Sequence, residues 1–144
     1  MNKVEIGKRV RQMLIESEQP KKIAAGVLIQ CTKTNKILLL LRAGGGVGAH
    51  TWNLVAGGIE KGEDVLDGLK REVTEEMSID PDIIDYKYKN KEVDDKLDFY
   101  YYEGFTPTEF KPTLCDENVD WKWVSKDELP SPLFPNIQGK IDKI

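Results

Sequence analysis

The amino-acid sequence predicts an α/β fold in which a mixed β-sheet is sandwiched between helices. Two apolar runs near the start, Ile23–Cys31 and Ile37–Leu41, have the composition of buried strands. Residues Glu63–Met77 instead carry their apolar side chains at helical spacing. Further strand-like and helix-like segments interleave without the regular βαβ rhythm that would give a wholly parallel sheet.

In chain order, Met1–Gln19 reads as a short amphipathic helix, a helical extension at about residues 1–19, with Val4, Ile6, Val10, Met13 and Leu14 interrupted by charges. The first strand, Ile23–Cys31 (IAAGVLIQC), is followed by a turn at Thr34-Asn35 and by the second, Ile37–Leu41. The glycines of Ala43–Ala49 (AGGGVGA) mark a flexible loop. Thr51–Val55 is predicted as one short strand leading into Ala56-Gly57-Gly58. In the Glu63–Met77 helix, Leu66, Leu69, Val73 and Met77 share one face at about 100° per residue and form its buried stripe. Glu72 and Glu76 sit beside that stripe and Glu75 one step further round. Asp80-Pro81 is expected to end the helix, because a residue before proline disfavours the helical region. Ile83–Val93 and Leu97–Phe105 are predicted as strands around an Asp94-Asp95 turn, and Val119–Val124 alternates as another. After Pro130, Pro132 and Pro135, a short helix is expected over Ile137–Ile144.

The length of 144 residues fits a single domain spanning 1–144. A net charge of −4 argues against a general nucleic-acid binder, which normally presents a basic face. No apolar run approaches the ~20 residues that span a bilayer, and Met1–Gln19 lacks the apolar stretch of a secretory leader. A cytoplasmic location and no membrane partner are therefore expected. Cys31 and Cys115 lie far apart without metal-ligand spacing and read as free thiols of a reducing compartment. The acidity is concentrated: Glu60, Glu63, Asp64, Asp67, Glu72, Glu75 and Glu76 fall in one stretch. Such a region can serve an anionic substrate only if cations stand between them.

On the helix, Glu72, Glu75 and Glu76 occupy i, i+3 and i+4, so their carboxylates project close together. Like charges at that spacing repel, and more strongly at the rim of a core where the dielectric is lower. Either solvent absorbs the repulsion on an exposed acidic face, or a divalent cation converts it into a site. Carboxylate oxygens without a neighbouring His or Cys favour Mg²⁺ or Mn²⁺ over Zn²⁺.

The stretch from Gly57 to Ile79, GGIEKGEDVLDGLKREVTEEMSI, resembles the Nudix box, G-x5-E-x7-R-E-U-x-E-E-x-G-U, where U is a bulky aliphatic residue. Gly57, Glu63, Arg71, Glu72, Val73, Glu75, Glu76 and Ile79 fall in register, and Ser78 replaces the glycine at the helix end. Ser is poorer than Gly in a left-handed cap, so the helix is expected to end differently. The strand ending in Arg42, the glycine loop, Trp52 and the late Asp116-Glu117 pair also resemble this family, over roughly residues 22 to 135. Where many members have Pro-Gly-Gly, this chain has Val55-Ala56-Gly57, and W-N-L-V-A-G-G is somewhat closer to the branch around isopentenyl-diphosphate isomerases.

The resemblance implies a Nudix-type α/β/α sandwich and Mg²⁺-dependent hydrolysis of a pyrophosphate bond, with Mn²⁺ a substitute. Glu72, Glu75 and Glu76 would hold the metal, with the backbone carbonyl of Ala56. Arg71 would pair with Glu63 in a structural role, and Gly57 and Gly58 would admit backbone or substrate to the metal site. Glu72, Glu76 and Glu117 are the candidate catalytic residues, Glu117 as a further ligand, a general base or an ordinary loop acid. Arg42 is a phosphate contact or a solvated strand-end charge, and Asn136 a reader of a base edge or a loop amide. Trp52, Tyr100, Tyr101, Tyr102 and Phe134 are either substrate-facing or core aromatics, and the lone His50 reads as a polar loop residue. The implied partner is a small nucleotide-like diphosphate, acted on by a monomer or homodimer. A (deoxy)nucleoside triphosphate or modified nucleotide leads. ADP-ribose, a dinucleotide polyphosphate, an isoprenyl diphosphate for isomerisation and a non-catalytic nucleotide sensor are the other readings.

Overall fold

A computed structural model describes residues 21–144, and the helix expected over Met1–Gln19 lies outside them. The strands are β1 (Lys22–Cys31), β2 (Ile37–Arg42), β3 (Trp52–Asn53), β4 (Val55–Gly58), β5 (Asp85–Val93), β6 (Leu97–Thr106) and β7 (Asn118–Val124). Two helices, α1 (Val65–Met77) and α2 (Ile137–Asp142), complete the described fold, with a 3₁₀ turn at Pro81–Ile83.

The sheet has seven strands in the order β3-β2-β1-β6-β5, with β4 added on β1 and β7 on β2. It is mixed: β1 and β6 run parallel over ten residue pairs, from Lys22↔Leu97 to Cys31↔Thr106, and the other pairings are antiparallel. Strand alternation divides its apolar residues into two cores. Val27, Ile29, Leu38, Leu40 and Tyr102 point to one face and meet Leu69, Val73 and Met77 of α1. Leu28, Ile37, Leu39 and Tyr101 point to the other and meet Ile137 and Ile141 of α2. The unbroken apolar runs of β1 and β2 follow from this burial on both faces, giving the expected sandwich of helices around a mixed sheet. At the edge of the sheet formed by the described residues, β5 carries Lys87, Lys89 and Lys91, charges that discourage further strand pairing.

Several boundaries differ from expectation: β5 begins at Asp85 rather than Ile83, which belongs to the 3₁₀ turn, and α2 ends at Asp142 rather than Ile144. Thr51–Val55 is not one strand: the Asn53 side chain accepts from the Leu54 N–H at 2.8 Å, and the chain passes from β3, paired with β2, to β4, paired with β1. A side chain that hydrogen-bonds its neighbouring backbone competes with the ladder in this way. Helix α1 starts at Val65 rather than Glu63, because Asp64 caps it by accepting from the Asp67 N–H at 3.2 Å. The helix ends at Met77 as expected, but it does so through a left-handed cap, which Ser78 adopts (φ 54°, ψ 40°) despite not being glycine. Its N–H closes the last turn on the Thr74 carbonyl, and Asp80-Pro81 opens the 3₁₀ turn instead.

Candidate active site

The buried face of α1 contains more than apolar side chains. Leu69, Val73 and Met77 are fully buried, Leu66 is only half-buried, and Glu76 lies within the stripe rather than beside it, at 3% exposure. No hydrogen-bond or ion-pair partner for the Glu76 carboxylate occurs among the described residues. Desolvation, followed by repulsion from Glu72 and Glu117, pushes its pKa up to about 8, while Arg42 pulls the other way. Glu72, half-buried one turn earlier, is also raised, first by desolvation, with Glu75 and Glu117 adding to it.

Arg71 organises the rim of this cluster. Its Nε and Nη2 donate to Glu63 at 2.9 and 3.1 Å, a two-pronged pair that holds the Glu63 carboxyl below the usual range. Nη2 also donates to the Gly58 carbonyl at 2.9 Å, and Nη1 to Glu72 at 3.0 Å and Glu75 at 3.2 Å. The loop before α1 is thereby tied to the helix, and Gly68 leaves room for it, since a Cβ there would come within 2.6 Å of Glu63 Oε1.

Glu117 reaches the cluster through the end of α1. The last carbonyls of a helix lack intrahelical partners. Here Thr113 N–H donates to Met77 O at 3.0 Å and Cys115 N–H to Glu76 O at 3.3 Å, while Ala43 N–H holds Glu117 O at 2.9 Å. Arg42 arrives from β2, whose register with β7 shifts between Leu41 and Arg42, a bulge of the kind that re-aims a side chain.

Arg42, Glu72 and Glu117 line a cleft of about 650 Å³, whereas Glu76 is not part of its lining. Arg42, Ala56, Gly57, Gly58, Glu72 and Glu117 line one part, and Phe134 and Asn136 another. The remaining sequence candidates lie elsewhere. Glu75 is largely exposed and turned to Arg71, Glu63 is held in the same clamp, and His50 is an exposed loop residue. Trp52, Tyr101 and Tyr102 are core residues, which removes them as stacking partners, and Tyr100 packs against Tyr88. Asn53, Phe99, Lys140 and Glu92 line the cleft without having been singled out by the sequence. Asn53 left a faint signal, a polar residue amid TWNLV, but Lys140 left none.

Among the described residues no three His, Cys, Asp or Glu side chains are grouped closely enough to form a ready metal shell. Arg71 holds Glu72 and Glu75 in this geometry. The donor chemistry nevertheless fits a hard divalent cation: Glu76 is a buried acid without an ion-pair partner among the described residues, and Glu72 and Glu117 add to the negative charge acting on it. A Cβ on Gly57 would overlap the Glu72 carboxylate, so glycine is what allows that group its position.

A family model described as NUDIX domain matches residues 20–143. Among solved structures, the MutT protein of Methanosarcina mazei Go1 aligns with a TM-score of 0.62 and 25% identity, over 88% of this chain and 96% of that one. A C. elegans Ap4A hydrolase aligns with a TM-score of 0.60 and 23% identity, over 74% and 81%. The E. coli dihydroneopterin triphosphate pyrophosphohydrolase aligns with a TM-score of 0.59 and 19% identity, over 76% and 85%. No match is found among curated proteins. The chain belongs to the NUDIX domain family, as a hydrolase acting on pyrophosphate bonds of nucleotide derivatives.

Proposed function

We propose that this chain is a Mg²⁺-dependent pyrophosphohydrolase, with Mn²⁺ as a substitute, that cleaves a nucleoside diphosphate linked to a further group. The observation that carries this reading is Glu76, buried without an ion pair among the described residues and repelled by Glu72 and Glu117, two acids that line a cleft with Arg42, Phe134 and Asn136. Glu72, Glu75, Glu76 and the Ala56 carbonyl would hold the cation, with Arg71 releasing Glu72 and Glu75 as it is displaced. A divalent cation held by these residues would supply neutralisation of the diphosphate charge and activation of a water.

The side chains supply the rest. Arg42 offers positive charge to the diphosphate, and Gly57 and Gly58 let it approach the backbone. Phe134 presents an apolar ring and Asn136 both donor and acceptor to the group beyond it. Glu117, exposed to solvent and acting on both Glu72 and Glu76, is placed to take a proton or to complete the ligand set. Cytoplasmic action as a monomer or homodimer accompanies this reading; no described helix is long and apolar enough to cross a membrane.

The test is a Mg²⁺-dependent screen of nucleoside triphosphates and modified nucleotides, ADP-ribose, dinucleotide polyphosphates and nucleotide sugars. Turnover of at least one, lost on chelation, is expected. Failure on all of them with tight nucleotide binding retained would instead identify a sensor.

A further inference from the structure

Helix α1 lies over β4 and β1, and the face of the sheet that it covers continues past it onto β6 and β5. The strand register defines what stands there. Ile23 of β1 and Val93 of β5 both pair with Asp98 of β6, Ala25 and Lys91 with Tyr100, and Val27 and Tyr88 with Tyr102. Ala25, Val27 and Tyr102 belong to the core beneath α1. By strand alternation Ile23, Tyr88, Tyr100 and Val93 therefore fall on the same face. They are nevertheless open to solvent: Ile23 is 38% exposed, Tyr88 50% and Val93 59%. The Tyr88 ring centroid lies 6.3 Å from that of Tyr100 and 5.4 Å from that of Tyr102, which makes the patch continuous. The result is an apolar shelf beside α1 that no element among the described residues covers.

The chain enters β1 at this shelf. The Lys22 N–H donates to the Lys96 carbonyl at 3.1 Å, in the turn between β5 and β6, and Lys21 Nζ lies 3.3 Å from Asp98. Residues 1–20, outside the described part, lead directly into that point, and their sequence carries Val4, Ile6, Val10, Met13 and Leu14.

We propose that the shelf is the docking site of residues 4–14 of the same chain, whose apolar side chains cover Ile23, Tyr88, Tyr100 and Val93. Two arguments select this occupant over a second copy. Only residues 15–20 separate Leu14 from Lys21, so Leu14 stays within roughly 25 Å of the shelf even if the connection is fully extended. A tether of that length holds its local concentration in the millimolar range, and docking needs no further contact. A second copy would instead have to bury about 800 Å² on each partner to associate stably. Four side chains, none of them more than about three-fifths exposed, supply far less.

Hydroxyl-radical footprinting of the full chain reads the shelf residue by residue. The parent is compared with the double variant Val10→Ser, Leu14→Ser, which leaves every shelf residue unaltered. Labelling of Tyr88 should be about threefold faster in the variant. Tyr86, whose hydroxyl donates to the Pro81 carbonyl at 3.0 Å, should be labelled equally in both and shows that the fold is retained. Equal labelling of Tyr88 in parent and variant overturns the docking. Protection of Tyr88 that grows with protein concentration, alongside a dimer in sedimentation, also overturns it and assigns the shelf to a second copy. The reciprocal variant works from the shelf side. Tyr88→Ser should raise labelling of Met13 about twofold with Tyr86 again unchanged, and a constant Met13 overturns the proposal even where the first variant fails to fold.

Discussion

Gly57 and Glu72 compete for one volume: a Cβ on Gly57 would overlap the Glu72 carboxylate, whereas a Cβ on Gly58 would meet nothing within 4 Å. Neither glycine has a positive φ, so the constraint at Gly57 is steric and not conformational. Gly57→Ala should displace the carboxylate and lower kcat/KM roughly tenfold or more, about 1.4 kcal/mol or above. Gly58→Ala leaves Glu72 in place, so its loss should be the smaller of the two and fall on KM, through the diphosphate's approach, rather than on kcat. Steady-state kinetics of the two variants side by side checks this, and equal tolerance would remove Glu72 from the reaction.

Glu76→Gln carries two expectations, one for rate and one for stability. Losing a charged ligand at the buried end of the cluster should reduce kcat by about two orders of magnitude, near 3 kcal/mol. The stability effect follows from the native pKa of about 8, above the ordinary 4.5. The folded protein binds this proton more tightly than the unfolded chain. Metal-free stability is therefore unpenalised below pH 4.5, falls as pH rises through the interval to about 8, and is level above it. The glutamine variant lacks that slope, so its melting temperature should exceed the parent's increasingly from pH 5 to pH 8. Mg²⁺ should close the gap by stabilising only the parent. Parallel melting curves across this range would mean that Glu76 is ionised at no cost.

Arg71→Ala tests the clamp. It removes the two bonds to Glu63, the bond to the Gly58 carbonyl and the countercharge of Glu72 and Glu75. A half-buried arginine in such a network falls between an exposed pair at ~1 kcal/mol and a buried one at ~3–5 kcal/mol. A loss of about 2 kcal/mol lowers Tm by roughly 5–8 °C at this chain length. Thermal melts of the metal-free protein measure it, and an unchanged Tm would contradict a structural role. Arg71→Lys should recover little, because an ammonium cannot reproduce the fork.

The strands and the box helix were legible because burial leaves its mark in the sequence, as unbroken apolar runs for β1 and β2, buried on both faces, and as a period near 3.6 for α1. What escaped were features fixed by tertiary contacts. The break at Leu54 depends on one side-chain hydrogen bond from Asn53. Glu117 reaches Glu76 because the N–H groups of Thr113 and Cys115 find the last carbonyls of α1, and no local pattern announces that. Lys140 enters the cleft wall only because Ile137 and Ile141 dock α2 on the far face of the sheet.

Ser78 is one place where sequence and backbone disagree, since a β-carbon sits in the left-handed region at φ 54°. The cap still forms, so the chain bears the strain rather than avoiding it. Ser78→Gly should stabilise the protein by about 0.5–1 kcal/mol, the left-handed penalty less the added entropy of the unfolded glycine. Chemical denaturation with an unchanged m-value would show it, and no gain would mean that Ser78 leaves this conformation in solution. Activity should be unaffected, as the side chain is exposed beyond the carboxylates.

Glu117 is the acid whose role the geometry leaves to chemistry. Its charge acts on both Glu72 and Glu76, and with a cation bound it would either join them as a ligand or take a proton from a water. As a general base, Glu117→Gln should slow turnover by about 10²–10⁴-fold, leave Mg²⁺ affinity nearly unchanged and flatten the acid limb of the pH–rate profile. As a ligand, it should instead weaken Mg²⁺ binding, and added Mg²⁺ should restore part of the rate. Repulsion gives a third readout that does not depend on turnover. Removing the Glu117 charge takes away one of the groups that raise Glu76, so the metal-free pH dependence of stability should shift to lower pH in Glu117→Gln. Rates measured against Mg²⁺ concentration at several pH values, beside metal-free melts over the same range, separate the three. A variant that matches the parent in every one of these would be an ordinary surface acid, and the proton acceptor would then have to be sought at Glu72 or Glu75.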